Sequence, residues 1–259
     1  MGELKFGECA KHPGNNMVNC IYCEIERPLN MKFKSILVLG DGLLGSELVK
    51  LTNWNYISRK KDNFNVDDVE SWNFSEYDIV VNCIANTDTY SNDKESHWNL
   101  NYRYVYNLIQ YCNQHNIKLV HISTEYLYAG SVRNATEEDV PVHCDNWYCY
   151  TKLLGDGIVQ LLSNNYLICR CMHKPNPLPF NKSWIDQVGN FDYVENIAPL
   201  IIKSINKDLN GVYNIGTELK TMIDLAQRGN PNIEAAFSPD YVPKDISMSI
   251  KKLNINLNK

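Results

Sequence analysis

The chain has 259 residues, of which 44% are hydrophobic and 21% charged, with a formal net charge of −5. That length is near the upper size for a single hydrophobic core, and an acidic balance without a long basic run argues against a nucleic-acid partner. No apolar stretch approaches the ~20 residues of a membrane span, and Met1 to Ala10 lacks the apolar core of a signal peptide. The expectation is therefore a cytoplasmic protein with no membrane insertion, whose nine cysteines are reduced thiols or metal ligands.

Residues 1–30 are short on apolar periodicity but contain Cys9, His12, Cys20 and Cys23. These form two pairs, Cys-x-x-His and Cys-x-x-Cys, which is the ligand type and spacing of a closed four-coordinate zinc site. A segment too small for its own core needs such a staple. With all four positions filled, the expected role is structural, and the module offers a surface for a protein partner.

From Met31 the pattern changes. Ser35 to Leu39 reads as an apolar strand, followed by the loop Gly40-Asp41-Gly42-Leu43-Leu44-Gly45 and a helix from Leu43 to Leu51. Tyr56 to Ser58 and Tyr77 to Asn82 are the next strands. His97 to His115 has helical spacing, with Leu100, Tyr104, Leu108 and Tyr111 on one face. Lys118 to Ser123 is a strand, Trp147 to Leu162 a helix, and Tyr166 to Arg170 a strand. Near-continuous apolar strands alternating with helices predict a parallel sheet covered on both faces. Beyond Arg170, the prolines at 175, 177 and 179 mark Lys174 to Asn181 as a loop. Tyr193 to Ile205 and Leu219 to Arg228 are predicted helices, Gly211 to Ile215 a strand, and the tail from Asn230 is irregular.

The glycine loop has a specific physics. Gly40 permits the tight turn, Gly42 lets a pyrophosphate approach the backbone, and Gly45 allows close helix–strand contact, while the helix N-terminus supplies N–H donors. An acid about twenty residues further on would bind a ribose 2′-hydroxyl. The chain places Ser58, Arg59, Lys60 and Lys61 there instead. Arg59, with Lys60 beside it, suits a 2′-phosphate, so NADP(H) is expected over NAD(H).

Tyr148 and Lys152 are four positions apart on one helix face. An ammonium beside a phenol favours phenolate and lowers its pKa, which suits a group that gives and takes a proton. Thr124 lies just past the strand Lys118 to Ser123, at the carboxyl edge where such sheets bind ligands. His121 inside that strand reads as a core histidine. Cys169 and Cys171 share one face of a strand and read as packing residues, as do Cys144 and Cys149 near the tyrosine. Trp184 either stacks on a ligand or plugs the core.

With these residues in view, the chain resembles an extended short-chain dehydrogenase/reductase and is similar to the dTDP-4-dehydrorhamnose reductase group. The resemblance is carried by ILVLGDGLLGSEL (36–48), DIVVNCIANTD (78–88), NLNYRYVYNLIQYC (99–112), LVHISTEYLYAG (119–130) and YCYTKLLGD (148–156), with FDYVENIAP (191–199) and GVYNIG (211–216) also fitting. It implies that Tyr148 is the proton donor, that Lys152 binds the nicotinamide ribose and tunes Tyr148, and that Thr124 bonds the reacting oxygen. It also implies that Cys83, Ile84 and Ala85 line the cofactor and that Asn101 is the family's helix asparagine. Glu125 falls where these reductases commonly carry aspartate. Thr124-Glu125-Tyr126 in place of Thr-Asp-Glu favours a reductase over a dehydratase.

The expected fold class is thus α/β, a Rossmann-type doubly wound parallel sheet. Residues 1–30 would be a zinc-binding extension, 31–165 an NADP-binding domain, and 166–259 a small C-terminal substrate lobe partly interleaved with it. The expected reaction reduces a keto group on a nucleotide-linked deoxysugar, and a homodimer is one assembly compatible with it. Two departures keep other readings open. The glycine loop is one residue shorter than the family's Gly-x-x-Gly-x-x-Gly, and Met172 to Asn190 is short. A non-catalytic NADP-binding regulatory subunit is one alternative, and a sugar-nucleotide epimerase or dehydratase is another.

Overall fold

Six short apolar segments pair side by side in the computed structural model, which describes residues 34–143 and 145–258. Cys9, His12, Cys20 and Cys23 lie outside the described residues, as does Cys144. In chain order the framework is β1 (Ile36–Leu39), α1 (Leu43–Thr52), β2 (Asn55–Ile57), α2 (Arg59–Asp62), β3 (Ile79–Asn82), α3 (Lys94–Trp98), a π-helical turn (Asn99–Arg103), α4 (Tyr104–Gln114), β4 (Lys118–Ser123), α5 (Trp147–Leu162) and β5 (Tyr166–Arg170). There follow β6 (His173–Lys174), β7 (Lys182–Trp184), β8 (Val188–Gly189), β9 (Asp192–Tyr193), α6 (Val194–Asn206), β10 (Gly211–Asn214), β11 (Lys220–Thr221), α7 (Met222–Gly229), β12 (Glu234–Ala236) and α8 (Lys251–Leu257).

The main sheet runs β10-β5-β4-β3-β1-β2, and every pair is parallel. Side chains alternate across a strand, and here both faces are covered. Ile36, Val38, Ile79, Val81, Val120, Leu167, Cys169 and Tyr213 pack with Leu44 and Leu48 of α1 and with Ile197 and Ile201 of α6. The opposite set, Leu37, Leu39, Val80, Leu119, Ile168 and Val212, packs with Leu108, Ile109 and Cys112 of α4 and with Val159 of α5. A third apolar cluster collects Met172, Leu178, Phe191, Met222, Leu225 and Ile246 after β5, with Trp184 packed against it. Trp184 therefore plugs this core. The strand β10 comes late in the chain yet pairs with β5, so residues beyond 166 contribute two strands of the main sheet.

The chain leaves β1 toward β2 on one side and β3 on the other, so strand order reverses between β1 and β3. Ligands bind such sheets outside the carboxyl ends of the strands at that reversal. The segments that emerge there are the glycine loop after β1 and Cys83-Ile84-Ala85 after β3.

Two predicted elements differ from the structure. The helix expected from His97 to His115 begins at Lys94, capped by the Asp93 side chain on the Ser96 N–H, and widens into a π-turn at Asn99–Arg103. A one-turn widening leaves the 3.6 pattern of apolar residues on either side nearly intact, so periodicity does not reveal it. The irregular tail contains β12 and α8. Both are too short for a period to show, and Leu253 is the one fully buried residue of α8, with Leu257 partly buried against the same core.

Candidate active site

The glycine loop is built around two steric needs. Gly40 has φ of +99°, a region L side chains avoid, and its N–H donates to Ile57 O at 2.8 Å. A Cβ at Gly45 would stand 2.1 Å from Gly40 O, so only glycine lets α1 start this close to β1. Gly42 opens α1 as its N-cap with no side-chain cap, and nothing lies within 4 Å of where its Cβ would be. The first N–H groups of a helix have no intrahelical partner. Open space over them is what a pyrophosphate requires, and the residues present fit a dinucleotide.

Across the reversal, Asn101 fixes the second wall. Its Oδ1 accepts from Asn86 N–H at 2.8 Å, and its Nδ2 donates to Asn86 O and to Thr151 Oγ1, each at 3.1 Å. One side chain in the π-turn thus ties the segment after β3 to α5. Gly155 accommodates the same turn, since a Cβ there would meet the Asn101 carbonyl at 2.3 Å.

Helix α5 begins on Asn146, whose side chain accepts from Cys149 N–H at 2.8 Å. This cap sets the rotation of the helix, so that Tyr148 and Lys152 face β4 and are 9% and 3% exposed. Thr124 and Tyr148 line one cavity, with the threonine hydroxyl acting on the phenol, and the Lys152 ammonium donates to Ile122 O at 2.7 Å.

Burial pushes the Tyr148 pKa above its ordinary value, and the Thr124 hydroxyl only partly offsets that. This corrects the expectation of a phenol lowered by Lys152. The ammonium is turned to the β4 carbonyl, so desolvation of the ring dominates. Lys152 itself is lowered to about 8 by burial, against the pull of the Asp156 carboxylate, which raises it. If its positive charge is needed, kcat falls as pH rises through about 8, because the ammonium loses its proton there. A flat kcat profile from pH 7 to pH 9.5 would contradict this.

A cavity of 440 Å³ brings together Gly42, Leu43, Leu44, Cys83, Ala85, Thr124, Tyr148 and Lys152. Gly40, Gly45, Ile84 and Asn101 are not part of this lining. Arg59 and Lys60 lie away from this lining, exposed on α2. Glu125 is fully buried behind the cavity, and both of its carboxylate oxygens have no hydrogen-bond partner among the described residues. Burial pushes its pKa well above its ordinary value, with Lys174 and Lys220 pulling the other way.

Sequence reasoning missed the far wall, which includes Thr87, Thr89, Tyr126, His173, Lys174 and Phe180. His173 and Lys174 come just after Cys171 and Met172 at the end of β5, at the same carboxyl edge that singled out Thr124, and that rule would have found them. His97 gave no signal. It is fully buried with neither ring nitrogen partnered among the described residues, and its ring centroid is 6.4 Å from that of Tyr148. His121 is the expected core histidine, with Nδ1 at 3.4 Å from Asn82 Nδ2 and a pKa lowered by burial to about 3. Cys149, Cys169 and Cys171 are buried.

Residues 34–173 match the family model described as the RmlD substrate binding domain. The spore coat polysaccharide biosynthesis protein SpsK of Bacillus subtilis is 30% identical over 179 residues, covering 64% of this chain and 58% of that protein. The chain thus matches somewhat over half the length of this curated relative. Among solved structures, a dTDP-4-dehydrorhamnose reductase from Clostridium acetobutylicum superposes with a TM-score of 0.73 at 22% identity, over 85% of this chain and 91% of that one. The dTDP-4-dehydrorhamnose reductase of Bacillus anthracis, in complex with NADP, gives a TM-score of 0.73 at 21% identity, over 86% and 92%. At these identities the structures establish a shared fold. Among the described residues, no helix is long and apolar enough to cross a membrane, and no group of three or more metal-ligating side chains occurs.

Proposed function

Because the chain belongs to the RmlD substrate-binding-domain family, we propose that it is an NADPH-dependent reductase of a keto group on a nucleotide-linked deoxysugar. One observation carries the reading: Thr124, Tyr148 and Lys152 line the same cavity as Gly42 and Cys83. A proton donor and a nucleotide-phosphate cradle facing one space are the minimum for carbonyl reduction. The nicotinamide cofactor supplies the hydride, and every other part falls to this chain.

Gly42 and the N–H groups opening α1 hold the pyrophosphate, and Cys83 and Ala85 bound the cofactor after β3. Arg59 and Lys60 neutralise a 2′-phosphate beyond β2. Thr124 hydrogen-bonds the carbonyl oxygen and sets it against the phenol. Tyr148 gives its proton to that oxygen as negative charge develops. A phenol whose pKa burial has raised is fully protonated before the reaction, so it is ready as an acid. Lys152 lies one turn further along α5 and stabilises the phenolate left behind. The residues after β5, with Lys174 and Phe180 on the cavity wall, form the substrate lobe.

The regulatory alternative has no use for a threonine and a buried phenol lining the cofactor cavity beside Lys152, and this favours turnover. Oxidation of NADPH followed at 340 nm with a dTDP-4-keto-6-deoxyhexose tests it. Substrate-dependent oxidation is expected, and tight NADPH binding without turnover on any nucleotide keto-sugar would reject it in favour of the regulatory reading.

The donor set Cys9, His12, Cys20 and Cys23 supports a structural zinc ion in residues 1–30. Protein purified in reductant is expected to carry one zinc per chain by metal analysis, and a substoichiometric trace would dismiss the site.

A further inference from the structure

Asp41 belongs to the glycine loop, yet its carboxylate reaches the end of β2. Its Oδ2 accepts a hydrogen bond from the Ser58 hydroxyl at 3.0 Å. The backbone fixes the approach, because Gly40 N–H donates to the carbonyl of Ile57, the last residue of β2. Ser58 is 1% exposed and held on every side. Its hydroxyl accepts from Lys61 N–H at 3.0 Å, and its own N–H donates to Asp62 Oδ2 at 3.0 Å. The one hydroxyl proton left is the one that Asp41 receives. Asp41 is exposed, and among the described residues no hydrogen bond engages its Oδ1.

In a strand–glycine loop–helix site, the pyrophosphate lies over the helix N-terminus and the adenosine ribose over the end of the second strand. An acid at that place takes the ribose 2′-hydroxyl, and an arginine takes a 2′-phosphate. Here the residue that follows the second strand is Ser58, which carries no charge. The carboxylate arrives instead from Asp41, seventeen positions earlier in the chain. The cations come from the other direction, as Arg59 and Lys60 on the exposed side of α2. Ser58, Arg59 and Lys60 are consecutive, so the cations start at the strand end that Asp41 reaches. A 2′-hydroxyl can donate to the free oxygen of Asp41. A 2′-phosphate meets Arg59 and Lys60 but brings its charge beside a fixed like charge, which disfavours it.

Resting on the cofactor reading above, we infer that Asp41 sets the nucleotide choice: its carboxylate, held by Ser58, takes the ribose 2′-hydroxyl and opposes the 2′-phosphate, so the chain accepts NADH beside NADPH. The shortened loop thereby acquires a role, since it turns Asp41 toward β2.

Calorimetric titration of the full chain with NADH and with NADPH, in the absence of sugar substrate, tests this directly. The wild type is expected to bind both. Asp41→Asn keeps the size and the bond to Ser58 but removes the charge, and is expected to shift the ratio of the two dissociation constants toward NADPH by about tenfold. Arg59→Gln is expected to weaken NADPH by about tenfold and leave NADH unchanged, which shows that the 2′ position is the one being read. An unchanged ratio in Asp41→Asn overturns the inference and leaves the reductase reading standing. A wild type that binds neither nucleotide overturns the cofactor reading and the inference together.

Discussion

Tyr148→Phe is expected to lower turnover by about 10²- to 10⁴-fold, the usual worth of a positioned proton donor, with no change in NADPH affinity. The ring stays, so the packing of α5 against β4 is kept. Only the hydroxyl, which shares the cavity with Thr124, is lost. In a reduction the oxygen of the keto group gains negative charge, and without an acid it must be protonated from water in a cavity walled by Thr124, Lys152 and Cys171. The effect therefore belongs in kcat. Thr124→Val tests the other half of the pair. It removes the hydroxyl that orients the oxygen but leaves the phenol, and should raise KM and lower kcat together. If Tyr148→Phe lost cofactor binding as heavily as turnover, the phenol would be a cofactor ligand and the assignment of the acid would be wrong.

How much of this was legible in the sequence depended on whether a residue acts locally. The strands were legible because both faces of the sheet are buried, so ILVL and IVVN read as unbroken apolar runs. The glycine loop and the Tyr148–Lys152 pair were legible because their spacing is fixed by one turn or one helix. What was not legible was set by contacts between distant segments. The direction of the Tyr148 pKa shift depends on how deeply α5 is buried against β4 and on where the Lys152 ammonium points, and neither is a matter of spacing. The reach of Asp41 to Ser58 needs the closure of β1 onto β2. Phe180 meets the cavity from the proline-rich loop, whose path no spacing sets. The C-terminal helix could not be called from pattern because it has one buried residue to show for seven.

The fold's most consequential polar contact also spans distant segments, and it underlies the second large effect. Asp156 and Arg170 are 1% and 2% exposed. Arg170 Nε donates to Asp156 Oδ2 at 3.0 Å and Nη2 to Oδ1 at 2.8 Å, a two-pronged pair that ties α5 to β5. Ser123 Oγ and Gln160 Nε2 complete the carboxylate at 2.8 and 2.7 Å. Arg170 also reaches the Tyr128 hydroxyl, which donates to Asn214 Oδ1 of β10 at 3.0 Å. Removing one member of such a pair strands the other charge in the interior, so Asp156→Ala is expected to cost about 3–5 kcal/mol in urea unfolding. The double variant Asp156→Leu with Arg170→Met should recover much of that loss, because no charge is then left buried. A single variant that loses less than about 1 kcal/mol would mean that the pair is screened in solution.

The sign with pH follows from the carboxyl group. Burial alone would raise the Asp156 pKa, but the bonds and charge of Arg170 outweigh it and hold the group below its ordinary value. A carboxylate depressed in the folded state contributes its full stabilisation above the unfolded pKa of about 3.9, and loses it as pH falls through the folded value. The gap between wild type and Asp156→Ala should thus be constant from pH 7 to pH 5 and close below about pH 4. The same carboxylate raises the pKa of Lys152, one turn back on α5. Asp156→Asn, which keeps the shape and removes the charge, should therefore move the alkaline limb of kcat to lower pH. A limb that stays near pH 8 in this variant would show that the buried pair holds the fold without tuning the site.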